Sequence, residues 1–121
     1  MSKPHGTRVL IVEDEPLIVE MLTGMLEELA YSIAGVAING KEAVELTQTL
    51  RPDVILMDIG MSEMDGIEAA RQIQKLCPTP VIVLTAYDGR DLLEKAAGAG
   101  VDAYLLKPTT PRDLENAITT V

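Results

Sequence analysis

At 121 residues and 47% hydrophobic composition, the chain is long and apolar enough to close one core, which excludes a disordered segment and leaves room for one domain. Nineteen acidic against ten basic residues give a formal net charge of -9, a field that repels a phosphate backbone and argues against direct nucleic-acid binding. No apolar run nears the ~20 residues that span a bilayer, and the single cysteine, Cys77, excludes an intramolecular disulfide, in keeping with a reducing cytoplasm.

Residues 1–7 read as a polar leader without an apolar signal core, and 8–121 as the domain proper. Arg8 to Val12 is a first buried strand, followed by the acids Glu13, Asp14 and Glu15. Pro16 suits the first turn of a helix. The apolar positions Ile18, Met21, Leu22, Met25, Leu26 and Leu29 carry that helix to about Ala30. Ser32 to Val36 can form a second strand, and Asn39 caps a helix running to about Leu50, where Arg51-Pro52 breaks it.

Asp53 to Asp58 is a third strand. Val54, Ile55, Leu56 and Met57 make an unbroken apolar run, as expected of a strand covered on both faces. Ile59 to Met64 is expected as a loop, and Asp65-Gly66 as a turn before a third helix with Ile67, Ala70, Ile73 and Leu76 on its apolar side. Val81 to Leu84 is a fourth strand ending at Thr85. Asp88 can cap a fourth helix through Leu92, Leu93, Ala96 and Ala97, which Gly98 and Gly100 end. Asp102 to Leu106 is a fifth strand, followed by Lys107-Pro108. Thr110 and Pro111 then open a last helix with Leu114, Ala117, Ile118 and Val121 on one side. The chain stops within that helix, as expected of a receiving piece cut from a longer protein.

Five strands alternating with five amphipathic helices imply an α/β fold with a parallel sheet covered on both faces. In such sheets ligands gather outside the carboxyl ends of the strands. Four of those ends carry polar groups: Glu13 and Asp14, Asp58, Thr85, and Lys107. Three carboxylates drawn together call for a cation, and oxygen ligands with room for water favour Mg²⁺. The set suits phosphoryl transfer. Asp58 would be the nucleophile that forms an acyl phosphate, Glu13 and Asp14 the metal holders, Lys107 a charge partner and Thr85 a hydroxyl donor. Taken singly, each has an ordinary explanation: a helix-start cluster, a turn acid, a loop lysine, a strand-end hydroxyl.

In order, these residues resemble the receiver domain of two-component response regulators. The resemblance rests on four stretches: Val12 to Glu15, Leu56 to Gly66, Leu84 to Ala86, and Tyr104 to Pro108. It covers nearly the whole chain and implies a flavodoxin-like doubly wound fold with strand order 2-1-3-4-5; a receiver protein is itself among the usual examples of that order. It also implies that a sensor histidine kinase or phosphotransfer protein donates a phosphoryl group to Asp58 with Mg²⁺ as cofactor. The ion would be held by Asp14, Asp58 and the backbone carbonyl of Gly60, with Glu13 acting through water. Thr85 would then be drawn inward and Tyr104 would turn from exposed toward buried. The face made by helix four, strand five and helix five would switch and be read by partners, with room for a homodimer through it. A turnover enzyme is not implied, only self-phosphorylation and self-dephosphorylation in a cytoplasmic setting, without membrane or direct nucleic-acid contact.

The departures are local. Ser62 stands where the family often has proline, Glu13 where aspartate is also common, and Gly60 offers no side chain over the phosphate, a cover that Tyr87 could supply. The competing expectation is a phosphorylation-independent interaction module of the same fold. A haloacid-dehalogenase-type phosphohydrolase fits poorly, because the second acid it requires two residues after the nucleophile is replaced by Gly60. The leader residue His5 and the helix-end Cys77 are not expected to take part in chemistry, and the methionines are expected to fill the core.

Overall fold

The computed structural model describes residues 6–58, 63–86 and 90–121, with the backbone alone at 63–65 and 90–93. Strands and helices alternate as β1 (Arg8–Val12), α1 (Pro16–Glu28), β2 (Ser32–Ala37), α2 (Gly40–Leu50), β3 (Val54–Asp58), α3 (Glu63–Leu76), β4 (Val81–Thr85), α4 (Arg90–Gly98), β5 (Ala103–Leu106) and α5 (Pro111–Thr120). All five strands are parallel and lie in the order β2-β1-β3-β4-β5, as the sequence led us to expect.

Side-chain alternation along the strands divides the core into two layers. Val9, Ile11, Val54, Leu56, Ile82 and Leu84 pack with Leu22 and Leu26 of α1 and Leu114 and Ile118 of α5. Leu10, Val12, Ile55, Met57, Val81 and Val83 pack with Ala43 and Val44 of α2 and Ile67, Ala70 and Ile73 of α3. The three central strands are buried on both faces apart from the half-buried Arg8. Burying a leucine such as Leu22 or Leu26 contributes about 1.5–3 kcal/mol.

Helix ends follow local chemistry. Asn39 Oδ1 accepts the Glu42 N–H at 2.8 Å, and Glu42 Oε1 accepts the Ile38 N–H at 3.1 Å. Two orphan donors at the start of α2 are thereby satisfied, so Asn39→Ala is expected to lower unfolding stability by about 1 kcal/mol in a urea titration. Thr110 caps α5 by accepting the Asp113 N–H, and Pro111 occupies the first turn. Gly100, just past α4, has φ +86, a conformation open to glycine without strain. The expected Asp88 cap lies outside the described residues.

The structure corrects several helical assignments. α3 begins at Glu63, so Asp65 and Gly66 belong to its first turn and do not precede it. Acidic residues favour a helix N-terminus, and burial of Ile67, Ala69, Ala70 and Ile73 offsets the cost of a helical glycine. Leu76 is exposed while Cys77 is buried. Steps of three residues drift backward by about 60° each, so Leu76 leaves the face that Ile67 began, and Cys77, four after Ile73, returns to it. Met21 is 47% exposed and Ala97 is exposed, so neither belongs to the core. Asp102 lies just before β5, its carboxylate accepting the Val81 N–H at 3.0 Å.

Candidate functional site

The carboxyl ends of the central strands bring the candidate residues to one edge. Asp58 is the last residue of β3. Val12 of β1 pairs with Met57, so Glu13, next after Val12, falls beside Asp58. The Glu13 N–H continues the ladder to the Ala37 carbonyl at 2.8 Å. On the other side Asp58 pairs with Leu84 and Thr85 with Leu106, and the Lys107 N–H reaches the Thr85 carbonyl at 2.8 Å.

Alternation sets what each side chain can meet. Glu13, Asp58 and Lys107 continue the series of Ile11, Leu56 and Leu105, on the α1–α5 face. Thr85 continues the series of Val83, and Tyr104 is paired with Val83, so these two share the opposite face as diagonal neighbours. The structure thus brings Glu13, Asp58 and Lys107 together and sets Thr85 with Tyr104. Asp14 is exposed above the strand ends. Gly60 and Tyr87 lie outside the described residues.

Asp58 is 2% exposed, and Lys107 Nζ donates to its Oδ2 at 2.5 Å. A carboxylate buried this far needs such a partner to stay ionised. The lysine is 28% exposed at its side chain, so one partner faces the interior and the other retains solvent. The Lys107-Pro108 peptide is cis.

Glu13 is 1% exposed. Its Oε2 accepts the Glu15 N–H at 3.0 Å, while Oε1 is buried with no hydrogen-bond partner. Burial first, then the neighbouring Asp58 carboxylate, push its pKa up to about 8; Asp14 adds to the rise and the Glu15 N–H opposes it. A raised acid with an unsatisfied oxygen beside a second buried carboxylate fits a site for a divalent cation and its water. Among the described residues no three acidic, histidine or cysteine side chains gather to hold a metal. Mg²⁺ retains several waters and needs only one or two carboxylates, so Asp58 and Asp14, with Glu13 behind a water, fit it.

Tyr104 is half-buried and packs against the α2–α3 layer. Thr85 is fully buried. The Glu15 main-chain donor to Glu13 had no sequence signal, because any non-proline residue supplies an N–H there. Among the described residues no helix is long and apolar enough to cross a membrane.

Comparison with known proteins agrees with this arrangement. Residues 9–119 match the model of the response regulator receiver domain. The chain is 50% identical over 111 residues to the transcriptional regulatory protein PdtaR of Mycobacterium tuberculosis, covering 92% of this chain and 54% of that protein; it therefore spans about half the length of that relative. It is 38% identical to the chemotaxis protein CheY of Thermotoga maritima, covering 96% of this chain and 98% of that one. A CheY-like response regulator receiver domain protein from Methanospirillum hungatei superimposes with a TM-score of 0.85 at 30% identity, over 95% of this chain and 92% of that one. With strand order, strand-end acids and family match in agreement, the chain belongs to the response regulator receiver domain family of two-component signalling.

Proposed function

We propose that Asp58 is the phosphoacceptor of this receiver domain, taking a phosphoryl group from a phosphohistidine of a sensor kinase or phosphotransfer protein. The observation that carries this is the buried Asp58 carboxylate held by Lys107 beside the partnerless Glu13 oxygen. An Asp58 oxygen attacks phosphorus, the P–N bond breaks as the P–O bond forms, and the histidine nitrogen leaves. Lys107 keeps Asp58 ionised before the reaction and is near enough to pair with a phosphoryl oxygen after it. Mg²⁺ held by Asp14, Asp58 and the Gly60 carbonyl, with Glu13 behind a water, would neutralise charge on the transferred group.

Thr85 and Tyr104 share one face of the sheet. A new doubly charged group at Asp58 draws the Thr85 hydroxyl toward it, which frees space for Tyr104 to turn inward. The α4–β5–α5 face then differs between the two states and controls an output, including dimerisation through that face. In this reading the domain has no turnover activity beyond forming and losing its own acyl phosphate, acts in the cytoplasm, and neither contacts nucleic acid directly nor enters a membrane.

Intact-mass spectrometry after incubation with acetyl phosphate tests it. A Mg²⁺-dependent gain of one phosphoryl group, about 80 Da, is expected. Asp14→Ala should raise the Mg²⁺ concentration for half-maximal adduct on the order of tenfold. If neither acetyl phosphate nor beryllofluoride alters the protein, the domain is a phosphorylation-independent interaction module.

A further inference from the structure

The outer face of α1 is built in a way that the fold does not explain. Leu17 is 75% exposed and Met21 47% exposed, and Gly24 is exposed between them and Glu28. At 100° per residue, positions 17, 21, 24 and 28 form one stripe, opposite the buried Leu22 and Leu26. Glycine is the poorest helix former after proline. A Cβ built on Gly24 meets nothing within 4 Å, so no contact within the chain requires its absence. A glycine that weakens a helix and spares no internal clash is accounted for by a neighbour that approaches the backbone from outside.

Beside the stripe the surface opens into a cavity of about 350 Å³, walled by Ile18, Met21 and Leu22 of α1 and by Pro108 and Thr109 before α5. The Thr109 hydroxyl is buried without a hydrogen-bond partner. The flank of the stripe is acidic: α1 carries Glu20, Glu27 and Glu28 and no lysine or arginine. Two of these acids lie in its last turn, where they oppose the helix dipole. The surface therefore combines an apolar ridge, a point of close approach and a one-signed rim.

We propose that this face docks a basic amphipathic helix of a partner protein, whose backbone crosses α1 closest at Gly24 and whose apolar side chains cover Leu17 and Met21 and enter the adjoining cavity. Charge selects this occupant. A second copy of the chain would set Glu20, Glu27 and Glu28 against themselves, and an anionic lipid surface would meet the same acids with repulsion. The proposal does not depend on phosphotransfer at Asp58.

The probe is a labelled synthetic peptide of roughly five helical turns, with a leucine stripe, a central alanine and lysine flanks, titrated against the whole chain by fluorescence anisotropy. Its control has the same composition with the leucines moved off the stripe. Gly24→Ala is expected to raise Tm, since alanine is the better helix former, while weakening peptide binding severalfold. Gly24→Leu should weaken it on the order of tenfold or more, as should Leu17→Ser combined with Met21→Ser. A more stable protein that binds less cannot owe its loss to unfolding. The proposal is overturned if the peptide does not bind, if the control binds equally, if Gly24→Leu binds like the wild type, or if Gly24→Ala lowers Tm. It is also overturned if sedimentation shows a wild-type dimer that Gly24→Leu dissociates, which assigns the face to a second copy.

Discussion

Asp58→Asn abolishes the phosphoryl adduct while leaving the domain folded. The amide keeps the shape of the side chain but lacks the carboxylate oxygen that would attack phosphorus, so no acyl phosphate forms. The fold should survive because Asp58 lies at the end of β3 and its side chain belongs to neither core layer. Two electrostatic changes oppose each other. Lys107 loses its ionic partner but keeps solvent access, and Glu13 loses a repelling neighbour. Their balance should change stability by no more than about 1–2 kcal/mol. Intact-mass spectra with and without Mg²⁺, alongside thermal denaturation of both proteins, check this. An adduct of unchanged yield on the variant would remove Asp58 from the nucleophile role; a variant that fails to fold would show that the Asp58–Lys107 pair is structural first.

The frame of the fold was legible because each central strand is a short, unbroken apolar run bounded by breakers, such as Pro52 before β3 and Pro80 before β4. Helix starts at Asn39 and Thr110 were legible because a capping side chain reports its own local geometry. Helix interiors were less so. An apolar residue at helical spacing need not be buried: Leu76 and Met21 each extended a pattern whose face had already rotated into solvent.

At the candidate site, sequence order placed the acids, the hydroxyl and the lysine at strand ends, but it could not rank them by environment. Glu13, Asp14 and Glu15 look alike as a run of acids. In the structure Glu13 is buried while Asp14 and Glu15 are exposed, because only Glu13 continues the β1 ladder beside Asp58. The close pairing of Lys107 with Asp58 joins residues 49 apart in sequence. It follows from two strands ending level and from matched side-chain parity, and both depend on register, which the sequence does not print.

That environment makes the stability of the metal-free domain depend on pH in an unusual direction. Glu13 titrates at about 8 in the folded protein against 4.5 for the unperturbed group. Between those values the folded state holds a proton that the unfolded chain has released. Stability therefore falls as pH rises through this window and levels off once Glu13 is ionised in both states. The slope cannot exceed about 1.4 kcal/mol per pH unit from this one group, and its total is smaller wherever the Asp58 carboxylate shares the proton. Glu13→Gln should flatten the profile between pH 5 and 8, because the amide needs no proton. Saturating Mg²⁺ should flatten it as well, since a cation among these carboxylates replaces the proton as the source of positive charge; the rise in Tm on adding Mg²⁺ should then be larger at pH 8 than at pH 5. Thermal melts of both proteins across that range, with and without Mg²⁺, decide the matter. A wild-type profile as flat as that of Glu13→Gln would mean that Glu13 is ionised throughout, and the partnerless oxygen would then need a donor other than its own proton.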